Sequence, residues 1–396
     1  MIYSKNIKLT VNYPALFVII IYPLILASLA VLYHITYVIS RFEIISLIVT
    51  YYIVNISVGV GLHRLWSHNA FKTTRWVELV LALLSAATLQ GPILAWVSDH
   101  MIHHRYTDQH GDPHSPLKYK NKFMGFLWSH IGWMIFCNNH QKKINKMAIA
   151  KLGRNKIVLW QFRNYWKIAI SMNTIVPLSI GYIVGGDIRH AAGAFIFMGI
   201  GRAFQQQATF CVNSLVHMNI GSKEYYNGTA RDVWWLFFIL LGENWHNFHH
   251  AFANDYRNGH KWYHLDIHKW IIKIMSKVGL AKDLVVTSKL RIDLMKEQIK
   301  VKSINDLQKK VCYIEVVSLK IQNLALEKLK KAETSTVRIA SNIQKNLYSI
   351  ADRAKYIIED TKDLKLSSDN EKKVLLLLAK LDRLRQLAQE SEIRVP

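Results

Sequence analysis

From Tyr13 to Ile39 the chain reads "YPALFVIIIYPLILASLAVLYHITYVI", without one formally charged side chain. A helix needs only ~20 apolar residues to cross the ~30 Å hydrocarbon layer of a bilayer. Comparable runs follow at 44–62, 168–186 and 191–212. The last of these carries Arg202 and the three glutamines Gln205, Gln206 and Gln207, polar groups that at such depth face a cavity or the protein interior. The expected fold is therefore an all-α membrane protein with four transmembrane helices at 13–39, 44–62, 168–186 and 191–212. The first run follows a basic start, but it is too long for a signal-peptide core and a second run follows at once, so it is expected to stay as an anchor.

Charge orients the spans. The segments 63–165 and 213 onward hold most of the lysines and arginines, which puts them, both termini and any site they carry on the cytoplasmic side. The formal net charge of +24 then suits a basic face resting on anionic lipid. No nucleic-acid recognition motif accompanies that charge, and no nucleic-acid partner is expected. Two further apolar stretches, Trp76–Val97 and "DVWWLFFILLGENW", are read as helices lying in or just under the interface. The three cysteines, Cys137, Cys211 and Cys312, form no CxxC pair, so neither a disulfide framework nor a thiolate metal site is expected. The expected division is a membrane domain over 1–285 and a charged extension over 286–396. In the extension "EVVSLKIQNLALEKLKKAE" has helical spacing of its apolar residues, which predicts an amphipathic helix or coiled coil able to pack on a partner.

Histidines cluster in the segments assigned to the cytoplasm. "DHMIHHRYTD" and "ENWHNFHH" repeat one H-x-x-H-H spacing, at His100, His103 and His104 and at His246, His249 and His250. Helical residues three or four apart share a face, so each set converges. Asn213 and His217 in "NSLVH" are also four apart, at the end of the fourth run. His63 and His68 are five apart and diverge by about 140° on a regular helix. That leaves two possibilities, two different metals or one histidine past the helix end. A tetrahedral ion takes four ligands and an octahedral ion six, so nine imidazoles imply two ions in a cytosolic helical cap. Imidazole suits Fe, Zn, Cu and Ni alike. A redox pair of ions beside a membrane fits oxidation of an acyl chain.

"GLHRLWSHNAF", "DHMIHHRYTDQHGDPHSP", "NSLVHMNIG" and "GENWHNFHHAF" resemble the membrane fatty-acid desaturases, in particular the acyl-CoA delta-9 branch, over residues 10 to 285. The resemblance implies an O2-dependent enzyme that inserts a cis double bond near C9 of a saturated acyl chain. It implies two iron ions held by His63, His68, His100, His103, His104, His217, His246, His249 and His250, with Asn213 acting through a water. Gln90, Trp96 and Thr209 match residues that line the bend of the acyl tunnel, and the packing around Tyr51 and Asn55 is expected to set chain length. Asp99 and Glu243 are the candidate acceptors that fix imidazole tautomers.

The chain departs from the animal acyl-CoA enzymes where "WVSDH" puts Ser98 in place of an arginine, where Gly91 replaces an asparagine, and near Cys137 and Asn138, where a basic pair is replaced. These changes weaken phosphate recognition, so the acyl carrier is CoA, an acyl-carrier protein or a lipid. The HPGG haem signature is absent. Electrons are then expected from a separate ferredoxin, rubredoxin or cytochrome b5 type carrier. Rival readings are a membrane di-iron hydroxylase and a non-catalytic metal-binding membrane protein.

Overall fold

The computed structural model describes residues 10–137 and 144–300, with scattered positions between 302 and 377. The chain divides into two compact units, Met1–Lys289 and Leu290–Pro396. The helical stretch expected at 315–333, Cys312 and Asn138 all lie outside the described residues.

Among the described residues, three helices are long and apolar enough to cross a membrane. The first, α1, spans Tyr13–Thr36, and the second, α2, spans Arg41–Ser67. A capping box starts α2. Ser40 Oγ accepts from the Phe42 N–H at 3.1 Å, and Glu43 reaches back to the Ser40 N–H at 2.8 Å. The other Glu43 oxygen accepts from Tyr33 Oη at 2.8 Å, which ties α1 to α2 across their short connection.

The stretch Trp76–Val97 does not form one helix. It divides into α3 (Arg75–Ala87) and α4 (Ile93–Tyr106). Leu89 and Gly91 between them take φ of 54° and 95°, and Pro92 restarts the chain. A continuous helix cannot pass through two left-handed residues.

The third apolar stretch, Lys156–Gly185, is broken at Thr174 into α5 (Lys156–Asn173) and α6 (Ile175–Gly185), and it starts twelve residues before the expected 168. A 26-residue helix, α7 (Ile188–Asn213), follows. At ~1.5 Å per residue α7 has the length to span, but it is not among the three helices apolar enough by composition. It packs on α1, α2 and α6 and buries Arg202, Gln205 and Gln206. Arg202 donates to Gln206 at 2.7 Å, and Gln206 donates to the Thr88 carbonyl at 2.9 Å, so these polar groups of α7 bond within the protein.

Two shorter helices complete the frame, α8 (His246–Ala251) and α9 (Ile267–Lys277). An antiparallel pair with Lys72 opposite Lys282 and Thr73 opposite Ala281 ties the chain after α2 to the chain after α9. The largest apolar core, with Leu62, Trp66, Ile93, Val97 and Ile272, binds the end of α2 to α4 and α9.

Helix α7 lies close against α2. A Cβ on Gly201 would collide with the Leu47 carbonyl, so this contact accepts only hydrogen. Gly201→Val is expected to destabilise the protein by about 1–3 kcal/mol, as overpacking does. Thermal unfolding in detergent measures this, and an unchanged midpoint contradicts the close approach.

Candidate metal centre

The last eleven residues of α2, Ser57–Ser67, form a π-helix. In it the His68 N–H donates to the His63 carbonyl at 3.1 Å, an i→i+5 bond. Wider winding brings residues five apart onto one side, and the His63 and His68 ring centroids stand 4.9 Å apart. The divergence expected on a regular helix is removed, and the two histidines share one cluster. His68 is also the first residue past the helix end.

The nine imidazoles fall into two groups. One holds His63, His68, His100, His104 and His249; the other holds His103, His217, His246 and His250. Each H-x-x-H-H repeat is split between them. On α4 the i,i+4 pair His100 and His104 enters the first group and His103 the second. On α8 the pair His246 and His250 enters the second and His249 the first. On a helix of 3.6 residues per turn i+3 lies about 60° to one side of residue i and i+4 about 40° to the other, which accounts for the sorting. His217 joins from the 3-10 turn Leu215–His217 that ends α7.

Ring nitrogens meet directly. In the first group Nε2 atoms stand 3.0 Å apart for His63 and His249, 2.7 Å for His68 and His100, and 3.0 Å for His104 and His249. In the second, His246 Nε2 lies 3.1 Å from His217 and 3.0 Å from His250, while His103 lies 3.3 Å from His250.

The opposite nitrogen decides what these contacts are. His103 Nδ1 lies 3.1 Å from both oxygens of Asp112. His217 Nδ1 lies 2.8 Å from Thr229 Oγ1, and that hydroxyl in turn donates to Asp108. His63 Nδ1 lies 2.6 Å from Glu243 Oε2, near but poorly aligned for a hydrogen bond. A neutral imidazole whose Nδ1 carries the proton presents a lone pair at Nε2. Lone pairs converging at about 3 Å repel unless a cation lies among them, so the donor set fits metal ions with nitrogen preference.

Burial keeps seven of the rings neutral. First burial, then neighbouring rings, hold His68, His100, His104, His217, His246, His249 and His250 well below their ordinary value. Burial raises Glu243, but His63 and Arg64 outweigh it and keep the carboxylate ionised. Asp112 behaves likewise, with His103 overcoming burial. Arg64, buried, bridges Glu243 at 3.1 Å and Asp266 at 2.9 Å, and Glu243 also accepts from Asn258 at 2.9 Å and faces His268 Nδ1 at 3.1 Å.

The substrate-side residues lie beside this centre. One cavity is lined by Trp96, Thr209, Asn213 and Asn55 together with His63, His100, His103 and His246. Gln90 donates to Thr209 at 3.4 Å and accepts from Trp96 Nε1 at 3.4 Å. Tyr51 and Asn55 both donate to the Ile239 carbonyl, at 2.7 and 3.0 Å. Ser98 is buried and accepts from the Asn145 N–H at 2.8 Å.

Asp99 does not take the role expected of it. Among the described residues it makes no hydrogen bond to any of the nine rings, and Asp112 holds His103 instead. Asp112, Thr229, Asp108 and His268 were not anticipated. Asp112 lies within "DQHGDPHSP", which offered a signal; Thr229 offered none.

A family model for fatty acid desaturases matches residues 40–281. Among similar curated proteins is a probable acyl-CoA desaturase of Schizosaccharomyces pombe, 39% identical over 61% of this chain and 48% of its own length. Acyl-CoA desaturase 1 of Saccharomyces cerevisiae is 36% identical over 66% of this chain and 50% of its own. Delta-9 acyl-lipid desaturase 1 of Arabidopsis thaliana is 32% identical over 61% and 74%. The chain thus spans about half the length of the two fungal relatives.

Two outcomes follow from the tautomer geometry. Thr229→Val is expected to lower metal affinity of the four-histidine group by about 10–100-fold, with Thr229→Ser close to wild type; metal per chain by elemental analysis after dialysis decides, and full retention in the valine variant contradicts the relay. For acidity, folded histidines held below their ordinary ~6.5 bind fewer protons than unfolded ones, so stability is present above ~6.5 and falls as pH drops below it. Metal-free protein should therefore melt earlier at about pH 5.5 than at about pH 7.5, and equal midpoints contradict the neutral, buried rings.

Proposed function

The chain belongs to the fatty acid desaturase family, and from that premise we propose that it inserts a cis double bond, at the delta-9 position, into a saturated acyl chain carried on CoA, an acyl-carrier protein or a lipid. The observation that carries this reading is the sorting of nine imidazoles into groups of five and four beside a cavity that His63, His100, His103 and His246 line.

His63, His68, His100, His104 and His249 would hold one iron, and His103, His217, His246 and His250 the other, with Asn213 assisting through a water. The iron pair would supply the oxidising power, by activating O2, that no side chain has. The remaining work belongs to the chain's own groups. Glu243, Asp112 and the Thr229–Asp108 pair hold protons at Nδ1 and so keep Nε2 free. Trp96 and Thr209, joined through Gln90, form one wall beside the rings and position a methylene pair against them. Burial of the site keeps bulk water from a reactive centre. Overall, two C–H bonds give two electrons and two protons, an external donor gives two more electrons taken up with two protons from water, and O2 leaves as two waters.

The same reading puts four spans in the membrane, α7 being the fourth, with the histidine cap and both termini in the cytoplasm. The division at about residue 285 leaves the charged extension as an accessory that packs on a partner.

Expression in a desaturase-deficient host with lipid analysis tests the activity. New cis-monounsaturated acids are expected, and His103→Ala and His249→Ala should abolish them and reduce bound iron. Hydroxy acids would instead mark a hydroxylase, and an unchanged lipid profile alongside a competent electron donor would contradict the enzyme reading.

A further inference from the structure

Residues 259–265 form a loop laid against the outer side of α8. While His246 and His249 turn inward, their neighbours Trp245 and Phe248 turn the other way and are each covered by a ring from this loop. His264 lies flat on Trp245, with centroids 3.7 Å apart and planes at 3°. His260 lies on Phe248, at 4.3 Å and 12°. Trp245 Nε1 donates to the Leu265 carbonyl at 3.0 Å, and Lys269 Nζ donates to the carbonyls of Gly259 and His264 at 2.6 and 3.2 Å. The loop is fixed from below by two stacks and three hydrogen bonds. Its tip is open: Trp262 is 89% exposed and Tyr263 55%.

A tryptophan displayed so fully on a loop held this firmly is costly in water. Some other exposed rings lie beside apolar groups. Trp234, Trp235 and Phe238 adjoin Ile239, whose carbonyl is bonded by Tyr51 and Asn55 of α2. Trp262 lies instead among polar groups, with Lys261 against Glu224 and Arg257 against Asp255. Rings also lead inward from it. Trp262 to Tyr263 is 5.6 Å between centroids, Tyr263 to His264 5.0 Å, and His264 to Trp245 3.7 Å; the residue after Trp245 is His246. Electron tunnelling weakens steeply with the gap between conjugated groups, so short ring-to-ring steps favour this direction of entry.

We propose that Trp262 and Tyr263 are the docking contact for the one-electron carrier protein, and that electrons enter along Tyr263, His264 and Trp245 toward His246. This rests on the desaturase reading, whose balance requires two external electrons. Each docking event oxidises one haem or iron–sulfur carrier by one electron, received at the centre, and two events serve one double bond. The chain's formal charge of +24 favours an acidic carrier at long range.

The test uses iron-loaded full-length protein in detergent, mixed anaerobically with three reductants in separate runs: a reduced soluble cytochrome b5 haem domain, a reduced plant-type ferredoxin, and reduced methyl viologen, which needs no docking. Trp262→Ala should slow oxidation of the competent protein carrier by about tenfold or more, as loss of an aromatic interface anchor does. Trp262→Phe should stay near wild type, and the viologen rate should not change. An unchanged carrier rate in Trp262→Ala overturns the proposal, as does an equal fall with viologen, which marks a structural role. Wild-type protein that accepts electrons from viologen but from neither carrier also overturns it. Wild-type protein that oxidises none of the three counts against the desaturase reading itself.

Discussion

Repulsion between imidazole lone pairs is the constraint on which the rest of the structure depends. Nine rings, drawn from α2, α4, the turn after α7, and α8, direct Nε2 into two small spaces, with neighbouring nitrogens 2.7 to 3.3 Å apart. That arrangement is unfavourable by itself and becomes favourable around cations. Three acidic groups serve the same end, since Glu243, Asp112 and Asp108 lie behind the rings rather than among them. A carboxylate there polarises the imidazole it faces and fixes which nitrogen is free.

Such a centre requires a stiff frame, and the frame is mostly polar. Glu243 and Asp266 share the buried Arg64, whose other terminal nitrogen donates to the Tyr256 carbonyl at 2.8 Å. Buried ion pairs of this kind contribute little net stability against an apolar alternative, but removing one partner leaves an uncompensated charge. Their value here is positional. Arg64 sits directly after His63 in the π-helix, so the pair that holds Arg64 also holds the winding that brings His68 round. The loop over residues 259–265 applies the same logic from outside, stacking on Trp245 and Phe248 and so setting the orientation of α8.

Much of this was legible in the sequence, and the failures have physical causes. The repeated H-x-x-H-H spacing revealed helical faces because α4 and α8 are regular there, and the family resemblance rested on the residues around them. The spacing of His63 and His68 left two possibilities open, because a π-helix is selected by packing, which no local pattern announces. Asp99 directly precedes His100 in the chain but bonds none of the nine rings. Asp112 lies nine residues beyond His103 and reaches it only because the chain turns back through Asp108, whose φ is 64°. Thr229 comes to His217 across twelve residues without regular structure. The break in Trp76–Val97 has its signal in Gly91 and Pro92, and the break at Thr174 has one in Pro177, which lacks the N–H that would bond back across the break.

The most direct test of the account is anomalous X-ray diffraction at the iron absorption edge from crystals of iron-loaded protein. Two iron peaks are expected in each chain, one enclosed by His63, His68, His100, His104 and His249 and the other by His103, His217, His246 and His250. A single peak, or peaks bonded to other side chains, would contradict it.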